Sequence, residues 1–548
     1  MSILITSLFF SLFITISLVP LFSALAIRFH ALDIPDSRKI HKYPVPRVGG
    51  MAMAAGVFLS AAIFMPKNIF LEAFLLSAGI IIIFGLIDDL AGLDYRIKFA
   101  GQVVAALIVI FYGKVRIVTL GNILPCSLCL TDGGSVVLTL LMIVGVTNAI
   151  NLADGLDGLA AGICLMAFAA IAYLAHVSGM PTILYLASAM AGAIFGFLRF
   201  NTHPATIFMG DGGSQLLGFS GIVLAISLTQ QSFSLNPVLP LFLFGIPIID
   251  TVTVIFQRLA EGKSLFMPDK NHIHHKLIKL GMYHSEAVFT IYMVQSIFVI
   301  FAVFCRSLSD TLLIAIYLLI FNVLLVAFAI AEKCNFRFGR HSIIDNGLKE
   351  WLRKLKEKGL LIRVCFSSMK ASMLVIFLLM VFLPAKIPLS LAFYAVISVS
   401  LLVVSLLYKK IQPRIIVRLI VYLFGPFVLY LGEIDTVAWF DEQLSFLYDI
   451  SFLITAFWAI MTLRFTRRQK GFMFTPLDFL ILLFVLVLSM IPDKQIQNSQ
   501  LGLLASKIII LFFTFEILVG ELRGNWKGPT LAVLLICALV ALRGWGYL

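Results

Sequence analysis

The stretch Leu75-Leu-Ser-Ala-Gly-Ile-Ile-Ile-Ile-Phe-Gly-Leu86 runs straight into Ile87-Asp88-Asp89. A strand of an outer-membrane barrel alternates apolar with polar residues, so a run that is apolar on every side reads as an α-helix in hydrocarbon. The whole chain has the same character. Its 548 residues are 61% hydrophobic and 13% charged, with a mean hydropathy of +1.05, whereas a soluble surface needs about twice that charged fraction. The expected fold is all-α, a polytopic integral membrane helical bundle in which about 20 residues cross about 30 Å of hydrocarbon.

Apolar runs bounded by charge, Gly or Pro place eleven spans near 3–27, 49–65, 69–87, 100–112, 135–148, 158–176, 180–198, 213–229, 236–257, 285–305 and 309–331. About seven more follow near 371–384, 388–408, 417–431, 444–463, 475–491, 504–520 and 529–545. No basic segment precedes the first run, which fits a membrane helix better than a cleaved leader. Pro247, in Phe244-Gly245-Ile-Pro247, is expected to kink the ninth span, either to open a groove for a lipid tail or for packing alone.

The loops after odd-numbered spans up to residue 370 carry 23 Lys and Arg, and the loops between them carry 4. That bias puts the first set in the cytoplasm and the N-terminus outside, as expected of a multi-pass protein of the cytoplasmic membrane. The net charge of +13 is therefore a topology signal, and no nucleic acid partner is expected. In 332–370, Ile344, Leu348, Trp351, Leu352 and Leu355 recur at helical spacing against Lys349, Arg353, Lys354, Lys356 and Lys358. Such a basic amphipathic helix suits an anionic leaflet, or serves as a solvated linker. It divides a membrane domain, 1–331, from an additional one, 371–548, that carries no readable motif. Cys126 and Cys129 form either a local disulfide or two idle thiols.

Three acidic clusters fall in the loops assigned to the cytoplasm: Asp88-Asp89, the run Asn148-Ala-Ile-Asn151-Leu152-Ala-Asp154-Gly155-Leu-Asp157-Gly158, and Phe208-Met-Gly210-Asp211-Gly-Gly-Ser214. Carboxylates converging at a membrane boundary call for a cation, and oxygen-only ligands select a hard one such as Mg²⁺. The glycines are read as letting main-chain N–H groups approach a pyrophosphate. Two basic loops on the same side suit a phosphorylated substrate. One runs from Arg38 to Gly50 with Lys42 and Arg47, the other from Arg258 to Lys279 with Lys263, His272, His274 and His275. Taken singly, each cluster is a helix cap or a solvated turn; the conjunction on one side carries the inference.

Together these segments resemble the signature motifs of the polyprenyl-phosphate N-acetylhexosamine-1-phosphate transferases, over about residues 1–331. The resemblance implies transfer of a sugar 1-phosphate, most readily GlcNAc 1-phosphate, from a UDP-sugar to undecaprenyl phosphate, with release of UMP. It implies Mg²⁺, or Mn²⁺ in its place, held by Asp211 and Asn151, with Asp88, Asp89, Asp157, His272, His274 and His275 as catalytic residues. Lys42, Arg47, Asn148, Leu152, Asp154, Asn201, Phe208, Asp250 and Lys263 are the implied substrate contacts, Phe208 stacking on uracil. Within the family, transfer of phospho-MurNAc-pentapeptide is the alternative, and a homodimer is allowed. An ion-coupled transporter is the alternative outside it, although carriers place charges near the bilayer midplane and often show repeats.

Overall fold

The computed structural model describes residues 2–29, 32–33, 44–121, 130–232, 235–264, 271–334, 360–407, 413–434, 436–465, 501–521 and 526–546. Their regular structure is helical apart from isolated bridges and one two-residue antiparallel pair, β1 (Leu32–Asp33) on β2 (Val45–Pro46), in the basic loop after the first helix. They fall into two compact units, those up to 334 and those from 360 onward. Eleven described helices are long and apolar enough to cross a membrane, eight in the first unit and three in the second.

The first unit runs α1 (Ser2–Arg28), α2 (Gly49–Phe64), α3 (Ile69–Ala91), α4 (Tyr95–Phe111), α5 (Asp132–Ala153), α6 (Leu159–Val177), α7 (Pro181–Asn201), α8 (Gly210–Gln231), α9 (Leu239–Leu243), α10 (Gly245–Ala260), α11 (Ile273–Lys279), α12 (His284–Phe304) and α13 (Asp310–Lys333). Helix α8 is the least apolar of the long helices and the most enclosed, packed by α2, α3, α5, α6 and α7, while the most apolar, α13, is mostly uncovered. A helix that meets protein on every side can carry Ser, Thr and Gly, because it has no lipid-facing stripe to fill.

The spans read as short, near 100–112 and 135–148, are longer in the structure because polar residues also belong to α4 and α5. The turns that a hydropathy count leaves out carry Tyr95, Arg96 and Lys98 at the start of α4 and Asp132 and Asn151 at the ends of α5, while Gln102 and Asn148, within the expected spans, bond to each other inside the bundle. The ninth span is broken rather than kinked, and the break falls at Phe244, not Pro247. Pro247 lies in the first turn of α10, where an N–H has no helical acceptor anyway. Gly245 at the break lies against the Phe298 ring, 2.6 Å from where a Cβ would sit.

Buried Gln295 of α12 bridges the break, donating to Leu243 O at 2.9 Å and accepting from Ile246 N at 3.0 Å. Gln295→Leu, close in volume, would leave both main-chain groups without partners, each worth about 1–3 kcal/mol. Thermal unfolding of the purified protein in detergent is expected to drop clearly for Gln295→Leu and little for Pro247→Ala. Equal melting of Gln295→Leu and wild type would show that the junction does not depend on the amide.

The second unit comprises α14 (Leu360–Phe382), α15 (Leu389–Leu407), α16 (Pro413–Ile434), α17 (Glu442–Phe465), α18 (Leu501–Glu521) and α19 (Lys527–Gly544). Its first helix begins at Leu360, inside the stretch read as linker, while residues 335–359 and the span expected near 475–491 lie outside the described residues. Lys507 of α18 is buried between Glu433 at 2.5 Å and Asp449 at 2.6 Å, over the Tyr448 ring. Arg543 of α19 donates to Val381 O and Pro384 O, satisfying carbonyls at the end of α14.

Candidate active site

The end of α3 delivers the first two acids. Gly92 adopts φ +66° and closes the helix with its N–H on Asp88 O, and Asp94 then caps α4 by accepting from Arg96 N. This tight return brings Lys98, one turn into α4, to Asp88 Oδ2 at 2.7 Å and into contact with Asp211 Oδ2. Asp89 points the other way, onto α8. Its carboxylate accepts from Asp211 N at 3.0 Å and Gly212 N at 3.3 Å, satisfying N–H groups that a helix start leaves free.

The approach requires glycine. A Cβ on Gly85 would lie 2.2 Å from Gly212 Cα, and one on Gly50 would lie 2.4 Å from Gly213 N. Gly212 and Gly213, read from the sequence as making room for an anion, thus make room for α3 and α2. Gly49 N and Gly50 N donate to Phe208 O and Met209 O, and Phe208 N donates to Pro46 O. Arg47 is held in this pairing, bonded to Asp33 and 3.9 Å from Asp89.

The turn from Asp154 to Gly158 joins α5 to α6 between these acids and a group of imidazoles. Gly158 at φ +80° is clamped by Asn201 Oδ1, which accepts from its N–H at 2.9 Å, and by Tyr292 Oη, which donates to its carbonyl at 2.6 Å. Asn201 Nδ2 also donates to Ile207 O, so both ends of this amide are engaged in positioning. Asp154 is pushed up to about 8, first by the atoms crowded round it and then by the charges of Asp211, Asp157 and Asp89. Asp157 lies below its ordinary value: burial would raise it, but the His203 hydrogen bond, His284 and Ala205 N outweigh burial.

On the far side, Asp250 accepts from His272 Nδ1 at 2.9 Å and from Ile273 N at 2.8 Å, fixing the start of α11. His274 packs on Gly155 and is driven down to about 3, mainly by burial and next by His275, so its ring is neutral at pH 7. His275 lies 4.2 Å from it, centroid to centroid.

Of the other expected site residues, Asn148 is tied to Gln102 and so to Gln215 of α8, Leu152 is exposed, and Lys263 pairs with Glu261 at the surface. Lys42, Cys126 and Cys129 lie outside the described residues. Sequence reasoning missed Lys98, Gln102, Gln215, His203, His284 and Tyr292. Lys98 had one usable signal, its place one turn beyond the Asp94 cap beside an acidic helix end; the others are single polar residues within apolar or loop sequence.

The donor set fits a hard divalent cation. Asp88, Asp89, Asp154 and Asp211 outnumber Lys98 and Arg47, and all their donors are oxygens. Asn151, whose main-chain carbonyl accepts from Asp154 N, has a buried amide nitrogen with no partner among the described residues. The two ends of an amide exchange by a flip, so an oxygen can stand there. Asp157, His203 and His284 also offer ligand atoms within 4.8 Å of one another. Their imidazoles stack at 4.1 Å and 20°, however, so the in-plane lone pairs run side by side rather than converging on one ion.

Residues 71–229 match the model of Glycosyl transferase family 4. The chain is 36% identical over 323 residues to the probable undecaprenyl-phosphate N-acetylglucosaminyl 1-phosphate transferase of Bacillus subtilis (strain 168), covering 58% of this chain and 89% of that one. The chain belongs to glycosyl transferase family 4. It is also 35% identical over 301 residues to the decaprenyl-phosphate N-acetylglucosaminephosphotransferase of Mycolicibacterium smegmatis, covering 49% of this chain and 74% of the relative. Identity is 28% over 298 residues to the undecaprenyl-phosphate alpha-N-acetylglucosaminyl 1-phosphate transferase of Escherichia coli (strain K12), covering 53% and 81%. The family segment holds Asp88, Asp89, Asp154 and Asp211, and it ends before Asp250 and the histidine turn.

Two outcomes follow from the geometry. Asp89→Asn still offers one oxygen to the start of α8, while Asp89→Ala offers none; the first should melt near wild type and the second lower, by about 1 kcal/mol of lost cap. Equal melting of the two would remove the cap from the account. Folded Asp154 keeps its proton between 3.8 and about 8, where the unfolded chain has released it. Its contribution to stability is full below 3.8 and is lost as pH rises through about 8. In chelator, Asp154→Asn should therefore gain on wild type in melting temperature as pH rises across that window, and a constant difference would refute the shift.

Proposed function

We propose that this chain transfers GlcNAc 1-phosphate from UDP-GlcNAc to undecaprenyl phosphate, releasing UMP, at the cytoplasmic ends of its helices. One observation carries the reading: acids of α3 and α8, Lys98 of α4, Arg47 and the Asp154–Gly158 turn meet at one end of the first unit. The names of the relatives supply the lipid acceptor and the amino sugar. The bias of Lys and Arg supplies the side. A transporter is not favoured, because these acids gather at helix ends.

Asp211 and Asn151, with Asp88 beside them, would hold Mg²⁺, or Mn²⁺, which when bound neutralises charge on the diphosphate. Lys98 and Arg47 bind phosphate oxygens as direct cationic partners. An oxygen of the lipid phosphate attacks the β-phosphorus of the donor in line, the bond from that phosphorus to the bridging oxygen breaks, and UMP leaves with the electron pair. A phosphate monoester has a second pKa of about 6 and is already mostly dianionic near pH 7. No strong base is needed, so Asp88 acts by holding charge and geometry. Neutral His274 can donate one hydrogen bond and accept another.

Purified protein, labelled UDP-GlcNAc, undecaprenyl phosphate and Mg²⁺ should yield labelled lipid. UDP-GlcNAc should compete and UDP-MurNAc-pentapeptide should not; the reverse pattern would move the chain to the pentapeptide branch. Asp88→Asn should lose activity, by about 10²-fold or more for a lost electrostatic contact, and raising the pH should not restore it. A phospho-enzyme trapped with the variant would overturn the single displacement.

A further inference from the structure

Gln102, Asn148 and Gln215 form a second polar layer next to the acid cluster. Each stands one turn further from its helix end than a site residue: Gln102 follows Lys98 by four positions on α4, Gln215 follows Asp211 by four on α8, and Asn148 precedes Asn151 by three on α5. Residues three or four apart share a helix face, so each amide lies on the face that carries its site residue. Gln102 and Gln215 are buried. The three amides form one directional chain. Asn148 Nδ2 donates to Val144 O at 2.8 Å, and because a carbonyl can only accept, that bond fixes which way the Asn148 amide faces. The same nitrogen donates to Gln102 Oε1 at 2.6 Å, which turns Gln102 Nε2 towards Gln215 Oε1 at 2.9 Å and Asn148 Oδ1 at 3.4 Å. Flipping any one of the three would set donor against donor or acceptor against acceptor.

Packing alone does not call for such a chain. Helix α8 already lies against α5 where a Cβ on Gly218 would come 2.8 Å from Thr147 Cα, and that contact sets how closely the two helices approach. An apolar layer would fill the same space, and hydrogen bonds between helices in a membrane add little to stability on average. What an apolar layer leaves free is the rotation of each helix about its axis. A single buried polar contact is a well-attested means of fixing register. Here the register matters, because Lys98 of α4 has to reach both Asp88 of α3 and Asp211 of α8.

We propose that Gln102 is a positioning residue, its amide linking α4 to α5 and α8 so that Asp211 and Asn151 face one divalent cation and Lys98 stays between Asp88 and Asp211. Gln102 acts through Asn148 and Gln215 and has no contact with substrate to make. This assignment rests on the reading above of the acid cluster as the metal and diphosphate site of a transferase.

The test is Mn²⁺ binding to the full chain in nanodiscs of zwitterionic lipid, read from the spin-resonance signal of the free ion, alongside melting, kcat and KM for UDP-GlcNAc. Gln102→Met, unbranched and of similar volume, removes the link. It should melt near wild type, bind Mn²⁺ about tenfold more weakly, the usual effect of losing a group that orients metal ligands, and lower kcat with little change in KM. Gln215→Met, which leaves the reciprocal Gln102–Asn148 pair in place, should lose clearly less. Added to Gln102→Met it should cost almost nothing more, because the link that it joins is already gone. A Gln102→Met variant that matches wild type in Mn²⁺ affinity and kcat only fills space there, and the inference is overturned. Should Gln102→Met fail to fold, Gln102→Asn, an amide one methylene too short to span both partners, makes the same comparison. A wild-type protein that binds Mn²⁺ but forms no labelled lipid would sink the transferase reading and leave the binding comparison to decide the role of Gln102; one that binds no Mn²⁺ would overturn that role as well.

Discussion

Carboxylates at the ends of membrane helices have to be compensated, and in the first unit the compensation is also what holds the helices together. Lys98 joins α4 to α3 and α8, and Asp89 joins α3 to the start of α8. Both ties need backbones in contact, which Gly85, Gly212, Gly50 and Gly213 permit. A bulkier residue at Gly85 would therefore separate α3 from α8 and would move Asp89 off the N–H groups that it caps. Packing and charge at this end of the bundle cannot be varied independently.

The Asp154–Gly158 turn divides the site into two kinds of chemistry. On one side carboxyls exceed cations, which suits a divalent ion and a diphosphate. On the other, Asp250 and Asp157 each hold an imidazole, and the buried His274 is neutral at pH 7. Charged groups there would bind phosphate oxygens without discrimination. Neutral donors and acceptors discriminate by pattern, and rejecting a ligand that leaves them unpaired is the stronger form of selectivity. Under the proposed function, such a division would let one side meet the charge of the phosphates and the other select the sugar and nucleoside.

Much of this was legible in the sequence, for identifiable reasons. Spans bounded by charge were visible because apolar runs such as Leu75–Leu86 have no soluble explanation. Asp88, Asp89, Asp154, Asp157 and Asp211 were visible because acid clusters at span ends are rare. Helix α11 and the break at Phe244 were not, since a seven-residue helix has little periodicity and a break bridged by Gln295 from α12 leaves no local mark. Lys98 was hidden by its own utility as a topology marker: one lysine in a loop count says nothing of the two carboxylates that it meets. His203 and His284 are 81 positions apart and stack only because α7 and α12 bring their ends together.

Buried charge alone does not mark the chemistry, as Lys507 demonstrates. In the second unit this lysine sits between Glu433 and Asp449 under the faces of Tyr448 and Phe452, so its charge is met by carboxylates and ring faces of α16 and α17. Such a group stabilises its own surroundings, and removing one partner would be far costlier than never having had the pair. The end of the first unit is different in kind. There, acids from α3, α8 and the turn after α5 crowd together, burial first and the neighbouring charges second push Asp154 up to about 8, and the Asn151 amide nitrogen has no partner among the described residues. Charges crowded in this way are those that a bound cation can relieve, and it is that crowding, rather than burial, that sets this end of the first unit apart from the Lys507 pair.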